Sequence, residues 1–351
     1  LRVVLIDPRS TYARDRTWSY WRTQPHPYAH LERKTWNAWS LRHAGKEVVC
    51  RSELAYCSMD ADAFYDFAHK KMAACPHIEV LPGHSVAGIK AGWPARVTLT
   101  SGEVLTAGLA LDARGPRRNE APALAQHFAG WEVRTERDVF DDQCVRLMDF
   151  LSVSAAQGAG LHFFYVLPYG PRQALVESTW VSPPGLGVDY DAEIKSYLHT
   201  HYGVDRFEVL YREQGSLGLA LAPPAPAHQP YVLGLGRAAG ALRASTGYAF
   251  LETIAHCAEA ARGIERSTEN GGVLRDRPAT AHWRDFHRPA ADVWMDRVFL
   301  RALQANWARA PDYFMAMFEH NSSAAMARFM SGQATWTDRS RLAASLPAAD
   351  F

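Results

Sequence analysis

The chain has little that would suit an oxidising compartment, a zinc site or a membrane span. Its five cysteines, Cys50, Cys57, Cys75, Cys144 and Cys257, are odd in number and scattered. No CxxC or Cys–His spacing accompanies them, so they read as reduced thiols of a cytoplasmic protein and no metal is expected. No stretch reaches the ~18 consecutive apolar residues of a spanning helix, and no secretory leader is visible. Net charge is nearly absent too, with 38 Lys plus Arg against 37 Asp plus Glu. Without a global field no nucleic-acid partner is expected, and any membrane contact must be local and apolar. Internal repeats and low-complexity tracts are also lacking. So is a glycine fingerprint ahead of the first strand: the chain opens at Leu1 inside an apolar run, and the expectation is that the start lies upstream.

What is present is a 351-residue chain, 48% hydrophobic, long enough for two packed domains or one domain with an insertion. Leu1 to Asp7 is an apolar run ending in a carboxylate, which suits a buried parallel strand. Asp60 to Met72 carries Phe64, Phe67 and Ala68 at helical spacing. Short strands follow at Ile78–Leu81, Ala95–Thr100 and Leu105–Asp112, the last two joined by a Ser101-Gly102 turn. From about Trp131 to Leu217 the strands lengthen, interrupted by one helix near Asp191–Tyr202, and this predicts a separate antiparallel sheet. A proline-rich stretch, Ala222 to Ala227, reads as a linker. Beyond it Tyr231-Val232-Leu233 predicts a strand returning to the first domain, then a Gly-rich loop and a helix from about Ala249 to Arg262. The tail from Ala281 to Leu346 is helical and rich in Trp, Phe and Met.

These elements predict an α/β (α+β) fold: a Rossmann-like cofactor domain split in sequence between residues 1–125 and 224–265. An antiparallel sheet is inserted at 126–223, and a helical region occupies 266–351. Dinucleotide-binding folds place an acidic residue at a strand end to accept ribose hydroxyls. Asp7 fits that role, or is a turn-forming Asp before Pro8. Leu109 to Gly115 runs from a strand into a tight turn where backbone can approach a cofactor, making Asp112 and Gly115 candidates. Gly234-Leu235-Gly236-Arg237-Ala238-Ala239-Gly240 imitates the dinucleotide fingerprint, but its spacing is one residue too long and its helix starts late. It reads instead as a second cofactor segment with Gly236, Arg237, Gly240, Thr246, Gly247 and Tyr248, or as a loop serving only chain reversal.

Several motifs in one order resemble bacterial lycopene beta-cyclases over nearly the whole chain. They are Asp15-Arg16-Thr17-Trp18-Ser19-Tyr20, Phe128 to Val133, Leu147 to Phe150, Phe163 to Pro168, Ala174 to Thr179, and Arg243-Ala244-Ser245-Thr246-Gly247-Tyr248. Two departures stand out: Arg237 follows Gly236 where related flavoproteins carry Asp, and Ala244 stands where that family usually has Pro. The resemblance implies reduced FAD as cofactor, NAD(P)H as its reductant, and lycopene and the monocyclic carotene as substrates. The reaction it implies is a ring closure through a carbocation, an isomerisation without net redox change, in an enzyme peripheral to the membrane. Such chemistry needs a dry acid and a negative surface.

Glu177 is the acid this reading selects. Strand alternation puts it on one face with Leu175 and Thr179, where burial would keep it protonated; the other possibility is a solvent-facing Glu. Asp149 is a second candidate carboxylate, or a strand-end cap. Trp18, Tyr20, Phe163, Tyr165 and Trp180 are candidates to line a hydrocarbon site and stabilise a cation, or are simply core. Arg243 pairs either with the cofactor or in a surface salt bridge. The apolar face of the tail docks either on a membrane or on the enzyme itself. Alternative functions on the same fold are a flavin monooxygenase or isoprenoid reductase, and a flavoprotein-like fragment without activity.

Overall fold

The structure, a computed structural model, describes residues 1–115, 124–150, 159–219, 229–269 and 288–347. The proline-rich linker at 222–227 and the start of the helical tail at 281 lie outside them. The elements run in the order β1 (Val3–Asp7), β2 (Thr17–Trp21), β3 (Lys34–His43), β4 (Lys46–Asp60), α1 (Ala61–Ala73), β5 (Ile78–Pro82), β6 (Val86–Lys90), β7 (Ala95–Leu99), β8 (Val104–Ala107) and β9 (Ala110–Asp112). Then come β10 (Leu124–Thr135), β11 (Val145–Asp149), β12 (Leu161–Gly170), β13 (Gln173–Ser182), α2 (Tyr190–Tyr202), β14 (Phe207–Leu219), β15 (Val232–Gly234) and α3 (Phe250–Glu269). Helices α4 (Ala290–Ala305), α5 (Ala310–His320), α6 (Ser323–Met330) and α7 (Trp336–Ala344) complete the fold.

The cofactor-domain expectation meets two parallel pairs, β1 with β5 and β15 with β9. The β6-β7-β8 meander packs against both, because Ile6, Ala110 and Val232 share one apolar cluster with Val97 and Leu99. The Ser101-Gly102 turn is present, with Gly102 at φ +90°. Burial of the first strand is corrected: Val3 is 48% exposed and Val4 and Leu5 are each 40% exposed. Among the described residues β1 has β5 as its one strand neighbour, so most of its side chains lack a covering layer.

The large sheet differs from the expectation in extent. Its eight strands run β14-β10-β13-β12-β11-β3-β4-β2, so three of them come from residues 17–60 and not from 126–223. The β3–β4 hairpin escapes sequence reading because its turn places Ala44 (φ +48°) and Gly45 (φ +79°) in left-handed conformations, a geometry usually announced by Asn-Gly. The sheet is also curled. Arg14, just before the edge strand β2, lies 3.8 Å over the ring of Tyr211 on the opposite edge strand β14.

Each face of the sheet has its own cover. Helix α2 packs Ile194, Tyr197 and Leu198 on Trp131, Phe164, Val166 and Val176. Across the other face, α4 to α7 bury Phe299, Leu303, Phe314, Phe318, Met326 and Phe329 against Trp21, Trp39, Leu41, Phe163 and Leu175. The tail's apolar face is therefore internal. A buried ion pair ties that layer to the cofactor loop: Arg243 donates to Asp296 of α4 at 3.0 Å, and its guanidinium also meets the Phe329 carbonyl. Arg243 consequently forms neither a surface salt bridge nor a free anion contact.

Because Phe314 and Phe318 are core residues, placing Asp at either one puts a charge where nothing can solvate it. Each variant should lose more than about 4 kcal/mol and melt far below the parent. Thermal unfolding followed by circular dichroism measures this; parent-like melting would show that the face is not internal.

Candidate active site

Alternation along β13 sends Leu175, Glu177 and Thr179 to the inner face of the curl and Val176, Ser178 and Trp180 to α2. On the inner face Glu177 lies opposite Tyr165 of β12 and Gly130 of β10. Its carboxylate accepts a 2.6 Å hydrogen bond from the Thr179 hydroxyl. Burial, reinforced by the negative charge of Glu213, pushes its pKa up to about 8, against which the Thr179 bond is a small opposing effect. Glu177 is therefore a protonated carboxylic acid at neutral pH.

One residue pair along the same face, the environment reverses. Glu132 pairs with Leu175 in the β10–β13 register and accepts from Arg33 at 2.7 and 2.8 Å, from Arg14 at 2.6 Å and from Gln173 at 2.5 Å. Burial raises its pKa, but the bonds from Arg33, Arg14 and Gln173 outweigh burial and hold it at about 2. Two glutamates of one sheet face are thus shifted in opposite directions, because one holds two guanidinium groups and the other has none among the described residues.

Glu213 of β14, not among the residues singled out from sequence, completes the inner face. It also lies opposite Gly130, is 7% exposed, and accepts a 3.0 Å bond from Tyr211. Burial pushes it up to about 7, opposed by Thr17, Tyr211 and the charge of Arg14.

Of the aromatic candidates, Tyr165 and Phe163 face this interior. The Tyr165 hydroxyl meets that of Tyr56, which lies 3.1 Å from the Tyr248 hydroxyl. Burial raises all three phenols, so they remain neutral. Trp18 and Tyr20 stack on Phe250 at 5.3 and 4.6 Å, and Tyr20 lines a cavity with Tyr248, Leu251 and Met330. Trp180 is on the other face, stacked 4.4 Å from His162 with its indole N–H donated to Glu193. Asp149 is there as well, bound to Arg42 at 2.7 Å and to the Tyr197 hydroxyl at 2.8 Å. An ion-paired carboxylate beyond the sheet cannot reach a substrate beside Glu177, so neither Asp149 nor Trp180 belongs to this site.

The cofactor candidates fall into two groups. Asp112 lies beside Gly234 in the β9–β15 register, its carbonyl accepts from Leu235, and its carboxylate holds Arg114 at 2.8 Å in the turn before Gly115. Gly236 (φ +55°) and Gly240 (φ +88°) shape the next loop, and a Cβ on Gly236 would come 3.1 Å from Thr253 of α3. Gly247 (φ +72°) brings the loop of Thr246 and Tyr248 against the sheet, where a Cβ would come 3.0 Å from Gln126 Oε1. Asp7 ends β1, next to Ile6 of the cluster shared with β9 and β15, and its carboxylate is engaged by Arg9 at 2.9 Å.

This is a mixed α/β architecture with an eight-stranded sheet. It is similar at TM-score 0.66 to a geranylgeranyl bacteriochlorophyll reductase-like protein from Thermoplasma acidophilum, 12% identical, covering 98% of this chain and 89% of that one. It is also similar at 0.53 to a probable FAD-dependent monooxygenase from Pseudomonas aeruginosa (15% identical, 98% and 92% covered), and at 0.60 to a flavin-dependent brominase (13%, 98% and 92%). The family model described as lycopene cyclase protein matches residues 1–350, and the chain belongs to that family. A relative, the lycopene beta-cyclase of Paracoccus sp. (strain N81106 / MBIC 01143), is 27% identical over 371 residues, covering 99% of this chain and 88% of that protein.

The contrast between the two glutamates has a thermodynamic consequence. Glu132 has its folded pKa depressed from 4.5 to about 2, so its contribution is present above pH ~4.5 and is lost as pH falls through about 2. Glu132→Gln should lower stability by on the order of 2–3 kcal/mol at neutral pH, with the gap to the parent closing in acid. Urea unfolding at pH 7 and pH 3 tests this, and an equal gap at both would refute it.

Proposed function

We propose that this protein is a lycopene beta-cyclase, converting lycopene to gamma- and beta-carotene by acid-initiated ring closure. The observation that carries the reading is Glu177, a half-buried carboxylic acid without a cationic partner among the described residues, on the sheet face lined by neutral aromatic side chains. Its proton, delivered to the terminal alkene, makes a tertiary cation. The neighbouring double bond attacks that cation, and loss of a ring proton leaves the beta-ionone ring. No electrons are gained or lost overall. Tyr165, Tyr248 and Phe163 keep water away and offer π faces to the cation.

The residues at the ends of β9 and β15 suit FAD. Asp112 and Gly115 close a turn beside the Gly236–Gly240 loop, where Gly236 lets α3 pack close through Thr253. Arg237 has no hydrogen-bond or ion-pair partner among the described residues, and it is depressed by desolvation and by neighbouring Arg16, as suits a group awaiting an anion. Thr246, Gly247 and Tyr248 would present the other edge of the site, with Asp7 towards the ribose. Bound in its reduced state after reaction with NAD(P)H, the flavin would supply negative charge near the cation.

For the hydrocarbon, a cavity of about 110 Å³ lies between Thr246 and the helical layer, walled by Phe299, Phe314, Met317 and Leu342. Trp294, at its margin, is 63% exposed, and Trp336 of α7 is 76% exposed. Among the described residues no helix is long and apolar enough to cross a membrane. Peripheral contact through these two indoles would let the substrate leave the bilayer beside the cavity. Replacing both by Ser should lower binding to phosphatidylcholine vesicles at least several-fold without changing the melting temperature. Equal sedimentation with vesicles would refute this.

The acid is tested by Glu177→Gln, which preserves shape but removes the transferable proton. Conversion of lycopene, measured by chromatography with reduced flavin, should fall at least ~10²-fold at normal flavin content, and Glu177→Asp should keep part of the activity. Near-normal conversion by the Gln variant would defeat the assignment. NAD(P)H oxidised in proportion to product would favour the reductase or monooxygenase reading.

A further inference from the structure

We propose that Glu213 is the base of this reaction, removing the ring proton from the cation that Glu177 creates, the two acids flanking Gly130 on one sheet face. The assignment rests on the cyclase reading above. A terminal alkene that folds into a six-membered ring presents its protonated carbon and its departing proton within one ring's width, so acid and base must reach the same small volume. Glu177 on β13 and Glu213 on β14 flank Gly130 on β10 in register, on the same face. A Cβ at Gly130 would lie 3.4 Å from Glu213 Cγ, 3.5 Å from Glu177 Cβ and 3.3 Å from Leu175 Cδ1. Any side chain there would crowd the stems of both glutamates and Leu175, so glycine lets the two acids approach over the same strand.

The surroundings divide the roles. Facing Glu177 are Thr179, Tyr165, Tyr248 and Tyr190, all neutral, besides Glu213. Facing Glu213 are Tyr211 and Thr17 as hydrogen-bonding partners and Arg14, whose guanidinium lies over the Tyr211 ring. A nearby cation favours the carboxylate form, so of the pair Glu213 is the more readily ionised and Glu177 the better proton reservoir. The cycle balances. Glu177 gives its proton to the alkene, and the neighbouring double bond's electron pair makes the ring bond. Glu213 takes the ring proton, whose C–H electron pair becomes the ring double bond. Return of that proton from Glu213 to Glu177 restores both, with no oxidant or reductant consumed.

A tertiary cation can shed a proton from any of its neighbouring carbons, so a placed base selects which ring isomer forms. Flavin-loaded full-length protein, parent and variants, is given lycopene, and products are separated across pH 5 to 9. Glu213→Gln should slow turnover at least ~10-fold, release a mixture of ring isomers, and abolish the acid limb of the pH profile. Its alkaline limb should move to lower pH, because loss of the neighbouring negative charge eases ionisation of Glu177. Glu213→Asp should restore the single ring type at reduced rate. A Gln variant that makes one ring type with the parent's pH profile, at whatever rate, overturns the assignment and leaves Glu213 a packing residue. A parent protein that leaves lycopene unchanged overturns the cyclase reading itself, and this assignment with it.

Discussion

Two guanidinium groups that gather two carboxylates, Glu132 and Asp60, govern the interior of this protein. Arg14 and Arg33 come from chain segments leading into β2 and β3, while Glu132 sits on β10 near the opposite side of the sheet. Their attraction draws the two edges of the eight-stranded sheet together and produces an inner face screened from solvent. It also leaves Glu177 without a guanidinium partner among the described residues. Closure of the sheet and protonation of the acid are two effects of one arrangement. Desolvating a carboxylate without a cationic partner strongly disfavours its charged form.

The helical layer is coupled to the same interior through the cofactor loop. Arg243 begins the segment that ends in Tyr248, and its buried pair with Asp296 fastens that segment to α4, while Ser245 donates to the same carboxylate at 2.7 Å. Tyr248 then reaches Tyr56 on β4 and closes the aromatic wall beside Glu177. A disturbance of α4 would therefore be felt at the acid site through a short chain of packed groups. The helices owe their apolar richness to this internal duty, which leaves Trp294 and Trp336 as the large exposed side chains of the layer.

Family membership was legible because several local motifs occur in one order, and each constrains a short stretch of backbone. The strands of the two parallel pairs, the β7–β8 turn and the return of β15 followed from apolar runs bounded by turn residues, whereas β6 was missed and β8 and β9 were read as one strand, Leu105–Asp112. The strands of residues 17–60 did not, because the β3–β4 turn is made by Ala44 and Gly45 without the usual turn chemistry, and Trp-rich strands buried on both faces show weak alternation. Asp149 and Trp180 looked equivalent to Glu177 and Tyr165 in sequence; parity within a strand separates Trp180 from Glu177, yet only the pairing of strands shows which face meets the site. Glu213 gave no local signal, lying in a polar Tyr211-Arg212-Glu213-Gln214 run that reads as a solvated strand.

The sequence by itself determined the family, the mixed α/β class, the glycine-shaped loop at 236–247 and the placing of Glu177 among apolar neighbours. All of these depend on residues close together along the chain, where backbone geometry and side-chain alternation are set locally. Tertiary structure alone decided which glutamate is ionised, which aromatic groups share its face, and that Arg243 and the tail helices are internal. Those outcomes turn on desolvation and on charges brought together from positions 14, 33, 130, 132, 177 and 213. Electrostatic energy depends on distance through space, and strand register across a curled sheet, not separation along the chain, sets that distance.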